Sequence, residues 1–233
     1  MRRAEATVLV WGLGAIVLTA ATILGSPCFA QAEPRQRHGL YVRAAGGVSY
    51  FTDAVKSDAM PNGLGVAKGT IAGATITADL AVGGSLRPGL VLGGGVFFYR
   101  APSPAIRDGT LGGRSLGEDM NFDATALTLI GPFVDYYIDP SSGLHVLGCV
   151  GLGVMSLGNG VGSITARRYV DAQSGTGVAG LAGAGYEWTI ADRWSVGLLG
   201  QLGVGLGGGR DLVGLGWWHR VLIPGLLLSA TMN

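Results

Sequence analysis

Residues 132–146 read PFVDYYIDPSSGLHV, and the order of side chains in this stretch decides the fold. Val134 and Tyr136 flank Asp135, a Pro140-Ser141-Ser142-Gly143 turn signal follows, and alternation resumes with Leu144, His145 and Val146. A side-chain period of two is the mark of a strand whose two faces meet different surroundings, and a Pro/Ser/Gly cluster marks a tight turn. The stretch therefore reads as a hairpin, with Asp135 and His145 on one face and an apolar set on the other.

Working outward, the chain of 233 residues is 48% hydrophobic and 13% charged, which excludes a disordered, highly charged protein. Its 43 glycines argue against helices, since each interior glycine costs about 1 kcal/mol relative to alanine. A bundle of membrane helices is excluded on the same ground. The N-terminus has a basic start at Arg2 and Arg3, an uncharged stretch from Ala6 to Ala32, and Ala30-Gln31-Ala32 before Glu33. This is the pattern of a secretory signal peptide over residues 1–32, cleaved after Ala30 or Ala32, with a short segment 33–38 and a barrel domain 39–233 after it. Losing Arg2, Arg3 and Glu5 from 16 basic and 15 acidic residues leaves 14 of each, so no basic stripe is expected to hold nucleic acid. Cys28 leaves with the signal, and Cys149, then alone, has no partner for an internal disulfide.

Eight alternating segments follow, at about 39–51, 70–84, 89–100, 122–138, 143–156, 177–190, 194–206 and 216–231. Each reaches the roughly 9 to 11 residues that a tilted strand needs to cross a bilayer. The connections alternate between long (TDAVKSDAMPNGLGVAKG, for example) and short (SLRP, DPSSG, ADR). Short periplasmic turns and long outer loops in this order, with both termini periplasmic, belong to an antiparallel up-and-down transmembrane β-barrel.

Parity sorts the faces. In segments one to seven the even positions carry no charge except Arg100, whereas the odd ones carry Arg43, Asp79, Asp123, Asp135, His145, Glu187 and Thr189. Even positions are expected to face lipid and odd positions the lumen. Segment eight departs from this rule, because Arg220 is even while Val221, Ile223 and Leu227 are odd, and Pro224 removes a ladder donor. Aromatic residues on the even face sort to the ends: Tyr50, Phe98, Phe122 and Trp218 beside the long loops, and Tyr136, Tyr186, Trp188 and Trp194 beside the short turns. Two interfacial girdles are expected from them.

With these features the chain resembles the small eight-stranded outer-membrane barrels of Gram-negative bacteria, the OmpA transmembrane domain and OmpX-like group, over about residues 39–233. GPFVDYYID followed by a short turn and a glycine-rich strand is similar to stretches in such barrel-domain proteins. The resemblance implies an outer-membrane location, lipids and lipopolysaccharide as surroundings, and the barrel insertion machinery as a partner. It departs from the group at Asn233, where the group has an aromatic residue.

Inward at similar depth, Arg43, Asp79, Asp135, His145 and Glu187 are expected to form a polar cluster that plugs or gates the lumen. Neither catalytic residues nor a cofactor or metal site is expected. His38, His145 and His219 have no serine two residues on, and GLGVGLGGG lacks the Lys-Ser/Thr of a phosphate loop. Recognition is assigned to the long loops, with Arg107, Asp108, Arg114, Glu118, Asp119, Arg167, Arg168 and Asp171 as their charged residues. The expected function is a non-enzymatic barrel with a structural or surface-interaction role. A narrow solute channel is the alternative, followed by a lipid-modifying enzyme.

Overall fold

The computed structural model describes residues 39–60, 65–106, 108–115, 120–139, 141–158, 160–162, 168–170, 173–210 and 214–233. The expected signal peptide lies outside them. Eight long strands build the wall: β1 (Leu40–Met60), β2 (Gly65–Arg87), β3 (Leu90–Ala101), β4 (Thr125–Tyr137), β5 (Leu144–Leu157), β6 (Gln173–Ala191), β7 (Trp194–Arg210) and β8 (Gly216–Met232). Each pairs antiparallel with its neighbours in sequence, and β8 pairs back onto β1. No edge is left in the wall.

The register fixes the shape. From Gly46, cross-strand partners run through Ala78, Phe98, Thr128, Val154, Thr176, Gly208 and Trp218, and return to β1 at Lys56, ten residues further along. With ordinary strand spacings, a stagger of ten over eight strands gives a tilt of about 40° and a radius of about 8 Å. Such a barrel is filled by side chains.

Odd positions point inward on all eight strands. Phe97, Phe133, Leu199 and Ile223 fill the middle, all at most 2% exposed, while Leu80, Val150, Leu198 and Leu202 point outward and are exposed. Followed along the tilted register, the outward apolar belt runs from Trp194 to Leu206 and Leu222, a height of about 30 Å, enough for a membrane core. β8 keeps the common parity: Val221, Ile223 and Leu227 are buried inside, and Arg220 points out. Its apparent exception arises because the middle of the lumen is apolar, and because Arg220 sits above the belt.

The structure corrects three further expectations. The first long loop is mostly strand, since β1 and β2 stay paired as far as Met60 and Gly65 in a hairpin that rises above the wall. β4 begins at Thr125, so Asp123 is exposed beyond its end, and Thr189 is also exposed. Phe122 is 4% exposed and belongs to no girdle: it packs with Val55, Ile71, Ile106 and Leu157 under the outer connections. Its short strand, Met120–Phe122, pairs with Ala105–Ile106 and Gly160–Gly162 above the wall, where parity counted from the barrel no longer applies.

The turns follow local chemistry. Pro88 sets one central position of the β2–β3 turn, and Gly89 takes φ 80°, which an L side chain rarely adopts. In the opening stretch, the Ser141 hydroxyl and backbone N–H donate to Asp139 Oδ1 at 2.6 and 2.9 Å, and these bonds hold the Asp139 carboxyl below its usual range. At the chain's end, Asn233 N–H donates to the Arg193 carbonyl at 3.0 Å.

Val150 faces outward near the middle of the belt and is 59% exposed on the isolated chain. Val150→Arg is expected to lower unfolding stability in lipid vesicles by about 2 to 4 kcal/mol, and Val150→Leu to leave it within error, measured by urea titration.

Candidate functional site

Two polar assemblies stand inside the wall. The first lies near the turn end. Arg43 comes from β1, Asp135 from β4 and His145 from β5, all three 0% exposed. Arg43 Nη1 donates to Asp135 Oδ2 at 3.3 Å, the Tyr41 hydroxyl donates to the same oxygen at 2.7 Å, and His145 Nδ1 lies 2.7 Å from Asp135 Oδ1. One carboxylate thus gathers a guanidinium, a phenol and an imidazole. Beside it, Glu187 accepts from Tyr137 at 2.9 Å and from Thr231 at 2.5 Å. The Tyr137 ring stacks on His145 with centroids 5.0 Å apart, joining the two halves.

Four of the five expected cluster residues are brought together in this way. Asp79 is not. Traced through the register it lies about three residues' rise nearer the outer end than Arg43, and its buried carboxylate oxygens have no hydrogen-bond partner among the described residues. The depth was misjudged because strand tilt separates residues that seem level when counted from strand ends. Tyr41, Tyr137 and Thr231 were missed in the sequence, although all are odd positions beside the charges.

The imidazole needs a gap in the wall. A Cβ on Gly185 would stand 2.6 Å from His145 Nε2, so only glycine leaves room for the ring.

The second assembly is near the outer mouth. His219 Nδ1 on β8 lies 2.7 Å from Asp53 Oδ2 on β1, and Arg220 N–H donates to Asp53 Oδ1 at 3.1 Å. Both side chains are at least 95% buried. His219 lines an outer cavity of about 1190 Å³ together with Val55, Gly69, Gly177 and Gly207. Asp53 was hidden by its assignment to a loop, yet the alternation Phe51, Asp53, Val55, Ser57 carried the signal that β1 continues.

Among the described residues no group of three or more His, Cys, Asp or Glu side chains is placed to hold a metal. Cys149 is buried among inward apolar residues.

On the outer face, Tyr136, Tyr186, Trp188 and Trp194 are exposed within about 7 Å of one another in height at the turn end. Tyr50 and Phe98 lie toward the other end, and Trp218, 64% exposed, stands about 12 Å above Tyr50. Of the loop charges, Arg114 and Asp108 are exposed, and Asp108 accepts from Thr70 N–H at 2.8 Å. Arg107, Glu118, Asp119, Arg167 and Asp171, and the side chain of Arg168, lie outside what the structure describes.

A closed eight-stranded wall, an apolar belt about 30 Å high and aromatic rings at its margin define a small transmembrane β-barrel. Neither a protein-family model nor a curated protein matches the sequence. Among solved structures, the chain is similar to the outer membrane protein OprG of Pseudomonas aeruginosa at 13% identity, covering 85% of this chain and 99% of that one with a TM-score of 0.49. It is similar to Ail, the attachment invasion locus protein of Yersinia pestis, at 12% identity, with 84% and 98% covered and a TM-score of 0.41. For the outer membrane protease OmpT of Escherichia coli the figures are 12% identity, 86% and 98% covered, and a TM-score of 0.45.

Asp135→Ala strands Arg43 without its carboxylate and is expected to cost about 3 to 5 kcal/mol, read from the chemical-denaturation midpoint. Gly185→Val is expected to lower the same midpoint by displacing His145, while Gly94→Val, where a Cβ would meet nothing within 4 Å, leaves it near wild type.

Proposed function

We propose that the protein is a non-enzymatic outer-membrane barrel that contributes to envelope integrity and presents its outer hairpin and loops as an interaction surface. The filled lumen carries this reading. Tyr41, Arg43, Phe97, Phe133, Tyr137 and Leu199 occupy the turn end and the middle at no more than 2% exposure, a plug held by the Asp135 network. Such a wall is a rigid post for whatever its outer end carries. The β1–β2 hairpin and the short strands packed on it form that end. Outer-leaflet lipid and lipopolysaccharide are the surroundings proposed for it, and the barrel insertion machinery delivers it there.

Catalysis has little to work with. His145 and His219 each bind a carboxylate, and among the described residues neither imidazole is hydrogen-bonded to a serine hydroxyl, as an activated nucleophile requires.

The second reading is a narrow channel, and the outer cavity favours it, since bare glycine backbone lines part of that space. Planar bilayers separate the two. Wild-type protein is expected to give no discrete current steps, and Phe97→Gly/Phe133→Gly to be the variant that leaks. Steps in the wild type would overturn the closed-post reading.

A further inference from the structure

Three cationic residues crowd one patch of the outer face, above the apolar belt. Lys56 on β1 and Lys68 on β2 are direct cross-strand partners, and both are exposed. Trp218 on β8 is the partner of Lys56 on its other side, and Arg220 follows on the same outward face. Like charges directly opposite each other destabilise a strand pair. Lysines often guard sheet edges, but these strands are paired on both sides here, so edge protection does not explain them.

Two exposed carboxylates, Asp58 and Asp108, border the patch and leave it with one positive charge in excess. None of the three cations makes a salt bridge among the described residues. Asp58, further out on β1, lies against Gly216, and Asp108 is engaged by Thr70. Arg220 stands about 5 Å above Leu222, the last apolar residue of β8's outward face, and the two lysines about 15 Å above it. Arg220 therefore stands where the headgroups begin, and the lysines stand further out, at the level of the sugars that a phosphoglycolipid carries beyond its acyl chains.

We propose that Lys56, Lys68 and Arg220 form a binding site for the phosphate of an outer-leaflet phosphoglycolipid of the lipid A class, with Trp218 lying along its sugar. The lysine pair supplies two ammonium groups on one side of the phosphate, and Arg220 supplies planar donors from below. Trp218, an apolar ring with one N–H and four residues outward of Leu222, suits contact with a sugar face. The site rests on the outer-membrane surroundings proposed above and gives them a residue-level contact.

The test uses the full-length mature chain, folded in phosphatidylcholine nanodiscs, titrated with lipid A, chemically dephosphorylated lipid A, phosphatidylglycerol or inorganic phosphate. Bound lipid is counted by native mass spectrometry, and the thermal unfolding midpoint is read in parallel. Wild type is expected to bind lipid A at least tenfold more tightly than Lys56→Gln/Lys68→Gln or Arg220→Gln, and the dephosphorylated form at the variants' level. Without lipid A, Lys56→Gln/Lys68→Gln is expected to unfold no lower than wild type, because the repulsion is gone; this also shows that the variant folds. Arg193→Gln, at the opposite rim, is expected to bind as wild type. Equal lipid A binding by wild type and the lysine variant overturns the site while leaving the surroundings proposed above intact. No lipid A binding by wild type overturns both. Equal binding of phosphatidylglycerol or inorganic phosphate overturns the glycolipid assignment.

Discussion

Closure of the wall with a stagger of ten residues is the constraint on which everything else depends. A hydrocarbon layer offers no partner to a backbone N–H or C=O, so a strand sheet survives there only when its last strand pairs with its first. The β8–β1 ladder, from Val42 with Met232 to Ser57 with Trp217, makes that closure. Once tilt and radius follow from it, so does the interior: a tube of about 8 Å backbone radius is narrow enough for side chains to fill. The inward half of every strand then becomes a core.

That core is layered, and the layers have different chemistry. Toward the turns, Asp135 collects Tyr41, Arg43 and His145, an arrangement in which a buried charge is affordable only because its partners come from other strands at matching depth. The middle is apolar, with Phe97, Phe133 and Leu199 meeting across the lumen. At the outer end the lumen opens beside the Asp53–His219 pair. Polar plug, apolar middle and open mouth describe a barrel closed at one end, and the closed end is the one with short turns. The outer face is simpler: an apolar belt, with charge confined to its margins.

What the sequence by itself determined was the alternation, and through it the strands, their faces and the membrane. Val134, Asp135 and Tyr136 already contain the wall in miniature, because an acid between two outward apolar residues has only the lumen to enter. The strand count, the short turns and the inward placement of Arg43, Asp135, His145 and Glu187 were legible for the same reason, since each depends on a period of two. The limits of β1 and β2 were not, because polar residues such as Asp53 and Lys56 resemble a loop once a strand leaves the membrane. Phe122 misled for the opposite reason: outside the wall an aromatic side chain is buried by connections, and strand parity has no hold on it. Tertiary structure alone decided who meets whom. Depth in a tilted barrel comes from the stagger summed around the ring, a quantity no single strand carries, and it left Asp79 outside the Asp135 hydrogen-bond network while bringing Asp53 to His219 and Lys56 to Lys68.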